Sequence, residues 1–241
     1  MSRRFDAVVF DLFGTLVSEF PTKDWGEQFI QLGSALGVDP VALRREWDAS
    51  AIDRQTGRLG DIRDNLRTIA RRAGGDPSER QLEQAIAVRA AIYDRFFRPL
   101  PGALETVRWV RQAGYRTALV SMCAPDTPPL WHASEFAGLV GVEVFSCEVG
   151  LRKPEPDIYL VATQRLGVEP SACLYVGDGS YGELRGATEI GMLAVLVRDP
   201  HEVEGSMLRP GAEPWDGATI ASIGDLRTFI DRVESSTADL V

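Results

Sequence analysis

The sequence predicts an α/β fold: a Rossmann-like parallel sheet with helices on both faces, interrupted early by an inserted all-helical segment. Three observations predict it. Short unbroken apolar runs, rather than alternating ones, recur along the chain and suit parallel strands buried on both faces. From residue 99 onward these runs alternate with stretches of helical spacing, the rhythm of βαβ units. Between residues 24 and 97, by contrast, apolar residues recur only at helical spacing.

The first strand lies in residues 5–17, FDAVVFDLFGTLV. Its run Ala7, Val8, Val9, Phe10 stops at Asp11, Gly14 permits a close turn, and Thr15 puts a hydroxyl on that turn. Ligands of open α/β sheets bind outside the carboxyl ends of the strands, so Asp11 stands where chemistry is done. Helical periods follow. Trp25, Phe29, Leu32 and Leu36 form one; Asp39-Pro40 reads as an N-cap with proline at the first helical position, leading into Leu43, Trp47 and Ala51. Ile62, Leu66, Ile69 and Ala73 form a third, stopped by Gly74-Gly75. Asp76-Pro77-Ser78-Glu79 has the pattern of a capping box and opens a fourth through Leu82, Ile86, Tyr93 and Phe97. Residues 1–17 and 99–241 are therefore expected to form the α/β core, and residues 18–98 the helical insert. Its aromatic residues read as core, and its arginines Arg44, Arg54, Arg58 and Arg63 include candidate substrate anchors that the sequence alone does not separate.

After the return linker Pro99-Leu100-Pro101-Gly102, a helix over 103–112 closes at Gly114, and a strand over 116–121 ends in Ser121. Another strand is expected over 142–146. Lys153 then sits on a turn fixed by Pro154 and Pro156, which opens a helix running through Leu166 to Gly167. The next strand ends at Gly177-Asp178, with Glu183 five residues on and a helix through Leu184, Ala187 and Ile190. A strand over 193–197, a loop over 198–215, a short strand over 219–223, a helix over 225–233 and a frayed end complete the chain. Gly177, Gly179 and Gly182 also spell G-x-G-x-x-G, with Asp199 near a ribose-binding position, so a dinucleotide reading competes for this unit. Two points count against it: Asp178 puts a carboxylate where a pyrophosphate must approach, and the unit comes late in the chain.

The 241 residues are 44% hydrophobic and 25% charged, an ordinary globular balance, with a net charge of -9 that provides no basic field for nucleic acid. Three cysteines without a C-x-x-C suggest neither a disulfide framework nor a zinc site. With only His132 and His201, carboxylates must carry any nucleophilic or acid-base work. A cytoplasmic protein is expected, monomer or homodimer, acting on a small molecule, with no nucleic-acid or membrane partner.

Four stretches in order resemble the motifs of the haloacid dehalogenase-like hydrolases. Asp11-Leu12-Phe13-Gly14-Thr15-Leu16 resembles the first, Asp-x-Asp-Gly-Thr-Leu, with Phe13 where the family's phosphatases carry a second aspartate. Ser121 stands at the second, followed by Met122 where many members have asparagine. Lys153-Pro154-Glu155-Pro156 matches the third, and Gly177-Asp178 with Glu183 resembles the fourth, Gly-Asp-x-x-x-x-Asp. The resemblance implies that Asp11 is a nucleophile forming a covalent aspartyl intermediate, that Ser121 and Lys153 assist it, and that Phe13, Gly14 and Thr15 join them in holding a phosphoryl group. It implies Mg²⁺ on Asp11, the Phe13 main-chain carbonyl and Asp178, with Glu183 binding directly or through water. The helical insert resembles the substrate-selecting cap of one subclass. Three classes follow: a Mg²⁺-dependent phosphatase of small phosphorylated metabolites, a 2-haloacid dehalogenase-type hydrolase, or a weakly active or non-catalytic binder that has lost its acid at Phe13.

Overall fold

In the computed structural model, which describes residues 3–18 and 21–238, the chain builds a sheet of β1 (Ala7–Phe10), β2 (Arg116–Ser121), β3 (Val142–Phe145), β4 (Cys173–Gly177), β5 (Leu193–Val197) and β6 (Ala218–Ile220). All pairings are parallel, in the order β3-β2-β1-β4-β5-β6. The order reverses at β1, so the crevice between the ends of β1 and β4 is a topological switch point.

Strand alternation sorts the core into two layers. Val8, Phe10, Leu119, Leu174 and Val176 face α6 (Ala103–Gln112), α7 (Thr127–Ala133) and α11 (Leu226–Ala238). Ala7, Val9, Ala118, Val120 and Tyr175 face α9 (Pro156–Leu166) and α10 (Glu183–Glu189). Both faces are covered, which is why the strands read as continuous apolar runs. A short helix, α8 (Ser146–Val149), follows β3. Among the described residues no helix is long and apolar enough to cross a membrane.

Helices α1 (Thr22–Leu36), α2 (Pro40–Ala49), α3 (Ala51–Gln55), α4 (Ile62–Arg72) and α5 (Glu79–Phe96) lie between β1 and the rest of the sheet. They share their own apolar cluster, in which Phe29, Leu32, Leu43, Trp47, Leu66 and Leu82 are essentially buried. The two connections run side by side: Val17 bridges Pro99 in antiparallel fashion, and Leu100 N donates to Leu16 O at 2.9 Å. Arg89 of α5 pairs with Asp126 at 2.5 Å, and Gln55 of α3 donates to Tyr181 Oη at 2.8 Å, so the helices rest on the sheet's carboxyl edge.

The local signals held where punctuation was strong. Asp39 caps α2, accepting from Val41 N and Ala42 N, with Pro40 at the first position. Several expectations need correction. The second helical period is two helices, because Ser50 leaves helical geometry while its hydroxyl donates to Trp47 O. The capping box of α5 is Ser78 with Gln81, two residues later than expected. Residues 127–133, for which no element is expected from the sequence, form α7 with Pro128 and Pro129 in its first turn. The last strand ends at Ile220 and Ser222–Asp225 caps the turn into α11, which stays helical to Ala238 instead of fraying from Ser235; residues 239–241 lie outside the described residues.

Candidate active site

The crevice gathers three carboxylates around one ammonium. Asp11 follows β1, and its amide donates to Val176 O at 2.9 Å, which ties it to β4. Asp11 Oδ1 accepts from Lys153 Nζ at 2.6 Å, and Oδ2 accepts from Thr15 Oγ1 at 3.2 Å. Lys153 Nζ also donates to Glu183 Oε2 at 2.6 Å. Tyr175 Oη donates to that same oxygen at 2.7 Å, and Gly179 N donates to Glu183 Oε1 at 3.0 Å. Both oxygens of Glu183 are thus engaged within the protein. Asp178 takes Ser180 N at 2.8 Å and Ser180 Oγ at 2.9 Å, and Arg209 Nε approaches its Oδ2 at 3.3 Å. Asp11, Asp178 and Glu183 each offer an oxygen, all within 4.8 Å of one another, a grouping able to hold a metal ion.

The backbone explains why the side chains can meet. At Gly177 a Cβ would lie 2.0 Å from Glu183 Oε1, and at Gly186 one would lie 2.4 Å from Pro154 O, so both glycines admit the close approach of α10 to the lysine turn. Gly179 and Gly182 have φ of 90° and 63°. The glycine spacing that mimics a dinucleotide loop therefore seats Glu183 and turns the chain past Asp178. Asp199, offered for a ribose, instead accepts from His201 N at 2.8 Å.

Ser121 ends β2, and the register Phe10↔Leu119 sets it level with the Asp11 turn. Its Oγ is buried and makes no hydrogen bond of good geometry, although the Cys123 thiol is near enough to feel it. Gly14, at φ 78°, already donates its amide to Val17 O at 2.8 Å, so that amide is committed to the turn. Phe13 packs against Phe97 and Tyr93, ring centroids 6.0 and 6.3 Å away. Above these residues lies a cavity of approximately 390 Å³, walled by Trp25, Trp47, Arg54 and Tyr93 from the helical insert.

Charge is imperfectly balanced here. Burial, then the Glu183 charge, pushes Asp11 from 3.8 up to about 6 despite Lys153. Burial, then Asp11, pushes Asp178 from 3.8 up to about 6 despite Ser180 and Arg209. Lys153 is opposed by burial, but Asp11 and Glu183 together hold it above the ordinary lysine range. Because Asp11 and Asp178 have folded values above their ordinary ones, the folded state keeps protons that the unfolded chain releases, and stability falls as pH rises from 3.8 through about 6. Without divalent cations, Asp178→Asn should therefore gain melting temperature relative to the parent as pH rises from about 4 to about 7, by roughly 2–4 °C for each kcal/mol relieved. A gap that does not change with pH in calorimetric scans would show that the two carboxylates are not strained by their own charge.

A haloacid dehalogenase-like hydrolase model matches residues 5–191. The chain belongs to this family. The haloacid dehalogenase-like hydrolases similar to it include the glyceraldehyde 3-phosphate phosphatase of Methanopyrus kandleri, 29% identical over 133 residues that span 54% of this chain and 56% of that protein. The phosphoglycolate phosphatase of Pseudomonas putida is 27% identical over 262 residues, 96% of this chain and 87% of that one. Solved structures share the fold on either side of the family's chemistry. A HAD phosphatase from Thermococcus onnurineus has a TM-score of 0.66 at 21% identity, covering 94% of this chain and 98% of its own. The 2-haloacid dehalogenase of Pseudomonas syringae also has 0.66, at 19% identity, covering 95% and 99%.

Several contributors were not singled out in the sequence. Tyr175 and Tyr159, whose hydroxyl donates to Glu183 O at 3.0 Å, sit in apolar patterns where a phenol reads as core. A hydroxyl in an otherwise apolar strand was the one available signal for Tyr175. Arg209 comes from a loop over 198–217 that no periodicity orders, and the αL conformation of Tyr181, φ 57°, has no sequence signature in a non-glycine residue.

Proposed function

We propose that this hydrolase is a Mg²⁺-dependent phosphatase of small phosphorylated metabolites, working through a covalent intermediate on Asp11, with residues 18–98 as its cap. The observation that carries the reading is the second carboxylate: Asp178 stands within 4.8 Å of Asp11, and both sit at about 6, Asp11 through burial and then Glu183, Asp178 through burial and then Asp11. Displacing a halide needs one carboxylate nucleophile and no cation beside it, whereas a phosphoryl group brings negative oxygens that need neutralising. Asp11 and Asp178 together would suit a hard divalent cation, whose charge would offset theirs and that of a phosphoryl group. The phosphatase names of the curated relatives support the same choice. Asp11 and Asp178, with the Phe13 main-chain carbonyl, would hold the ion, which when bound supplies charge neutralisation to the phosphoryl oxygens. Glu183, already engaged by Lys153, Tyr175 and Gly179, acts through Lys153.

In this reading an Asp11 oxygen attacks phosphorus, the ester P–O bond breaks, and the leaving oxygen departs with the substrate's remainder. Water then cleaves the acyl phosphate, releasing phosphate and restoring the carboxylate. Lys153 and Thr15 fix the two Asp11 oxygens, and the unpartnered Ser121 Oγ is free to donate to the phosphoryl group. Phe13 cannot protonate a leaving group. That feature favours, as the second reading, a dehalogenase-type reaction, since a halide leaves without a proton.

A general acid contributes about 10²–10⁴-fold, most for basic leaving groups. The parent should therefore favour acyl and activated aryl phosphates over alkyl phosphates, and Phe13→Asp should flatten that dependence. The test is kcat/KM over phosphates graded by leaving-group pKa, with 2-haloacids in the same panel, with and without Mg²⁺. Turnover of haloacids alone, unaffected by Mg²⁺, would replace the phosphatase reading; turnover of nothing would leave a binder.

A further inference from the structure

Of the four arginines that the sequence left undivided, one differs from the rest. Arg54 of α3 is 5% exposed and lines the cavity above Asp11. Its Nε donates to Ser50 Oγ at 3.3 Å, its Nη2 donates to Trp47 O at 3.0 Å, and its guanidinium lies 3.8 Å from the Trp47 ring centroid. These contacts hold the side chain rigidly, yet none provides a counter-charge. Arg54 makes no ion pair among the described residues, and its Nη1 makes no hydrogen bond there. Arg44 has Asp48 at 3.6 Å, Arg58 has Asp53 at 3.2 Å and Arg63 has Glu79 at 2.8 Å.

The neighbouring guanidinium sharpens the imbalance. Arg89, 3% exposed, also lies over the Trp47 ring, 4.5 Å from its centroid, and spends its charge on Asp126 at 2.5 Å. Two buried arginines thus face one aspartate, leaving one positive charge over at the roof of the cavity. Burial, then Arg89, lowers Arg54 from the ordinary arginine range to about 10, so the site resists this charge in the absence of an anion. Burying a guanidinium without a partner is costly, and a ligand anion removes the cost. The space between Arg54 and Asp11 is walled by Phe13, Trp25, Trp47, Tyr93, Met122 and Leu208, which suit an apolar spacer.

We infer that Arg54 is the cap's substrate anchor, and that the preferred substrates are phosphomonoesters carrying a carboxylate at the end of an apolar spacer. The inference rests on the phosphatase reading for the other end of the molecule. A carboxylate is favoured over a second phosphate because one surplus positive charge matches one negative charge, and a dianion would leave a buried charge unpaired. The planar fork of an arginine also fits the two oxygens of a carboxylate.

The experiment uses unhydrolysable phosphonates, so that binding is read apart from turnover. Calorimetry should show that the parent binds 4-(phosphonomethyl)benzoate about 10–100-fold more tightly than its neutral isostere 4-(phosphonomethyl)benzamide. Phosphonoacetate and phosphonoacetamide repeat the comparison with a short spacer. Arg54→Gln should bring acid and amide within about twofold while leaving benzylphosphonate affinity unchanged, which shows that the folded site persists. Arg54→Lys should restore part of the preference. Equal affinity for acid and amide in the parent at both spacer lengths, or no binding of either, overturns the inference whatever the variants do. Failure of the phosphatase reading looks different: the acid preference stands, but the corresponding phosphate esters are not turned over.

Discussion

Asp11→Asn is expected to remove turnover of every substrate the parent accepts, by about 10⁴–10⁶-fold in kcat, the scale seen when an essential nucleophile is deleted. Asparagine keeps the shape and one acceptor oxygen, so the turn Asp11–Thr15 has no steric reason to change. Stability in the absence of divalent cations should hold or rise at neutral pH, because the variant removes a carboxylate that burial and Glu183 push up to about 6. Lys153 retains Glu183 at 2.6 Å as its partner. The measurement is single-turnover and steady-state hydrolysis beside a melting curve. Activity within tenfold of the parent, with an unchanged melt, would mean that water attacks the substrate directly and that Asp11 only orients it.

How far the sequence carried depended on whether a feature was local. Helices over 103–112 and 156–166 and strands over 116–121 and 193–197 were legible to the residue, because glycine and proline mark their ends. The break at Ser50 was not, since Trp47 and Ala51 keep helical spacing across it and Ser50 departs only in its backbone angles, φ -95° and ψ 8°. Pro128-Pro129 reads equally well as a loop, and α7 is fixed by distant contacts of Trp131, which stacks on Phe136 with ring centroids 5.3 Å apart and donates its indole N–H to Glu143. The same divide runs through the site. Asp11, Ser121 and Asp178 end or follow strands, Lys153 sits on a rigid turn and Glu183 opens α10 directly after β4, so the topology brings them together once the sheet order is set. Arg54, Arg209 and Tyr181 acquire meaning only from residues far along the chain: Arg54 from a cavity shared with Asp11, Arg209 from Asp178, Tyr181 from Gln55. No spacing encodes those meetings.

Lys153→Met is the second large effect, and its outcome divides into two readouts. Lys153 is 2% exposed and holds Asp11 and Glu183 at 2.6 Å each. Removing a preorganised charge contact costs about 10²–10³-fold in kcat, and methionine keeps the length and apolar stem of the side chain. It also strands two buried carboxylates, for a stability loss of about 3–5 kcal/mol. The pH dependence of that loss identifies its cause. Asp11 and Glu183 already sit above their ordinary values through burial, and without the ammonium they rise further. Carboxylates raised in the folded state favour folding where they are protonated and oppose it once they ionise, so the deficit should be greatest at neutral pH and shrink toward about pH 4. Lys153→Met with Glu183→Gln should regain much of the melting temperature, because glutamine can still accept from Tyr175 or Gly179 while carrying no charge, yet it should regain no turnover. A deficit equal at both ends of the pH range, and unrelieved by Glu183→Gln, would mean that Lys153 supports the fold by packing and that its charge is not what the site requires.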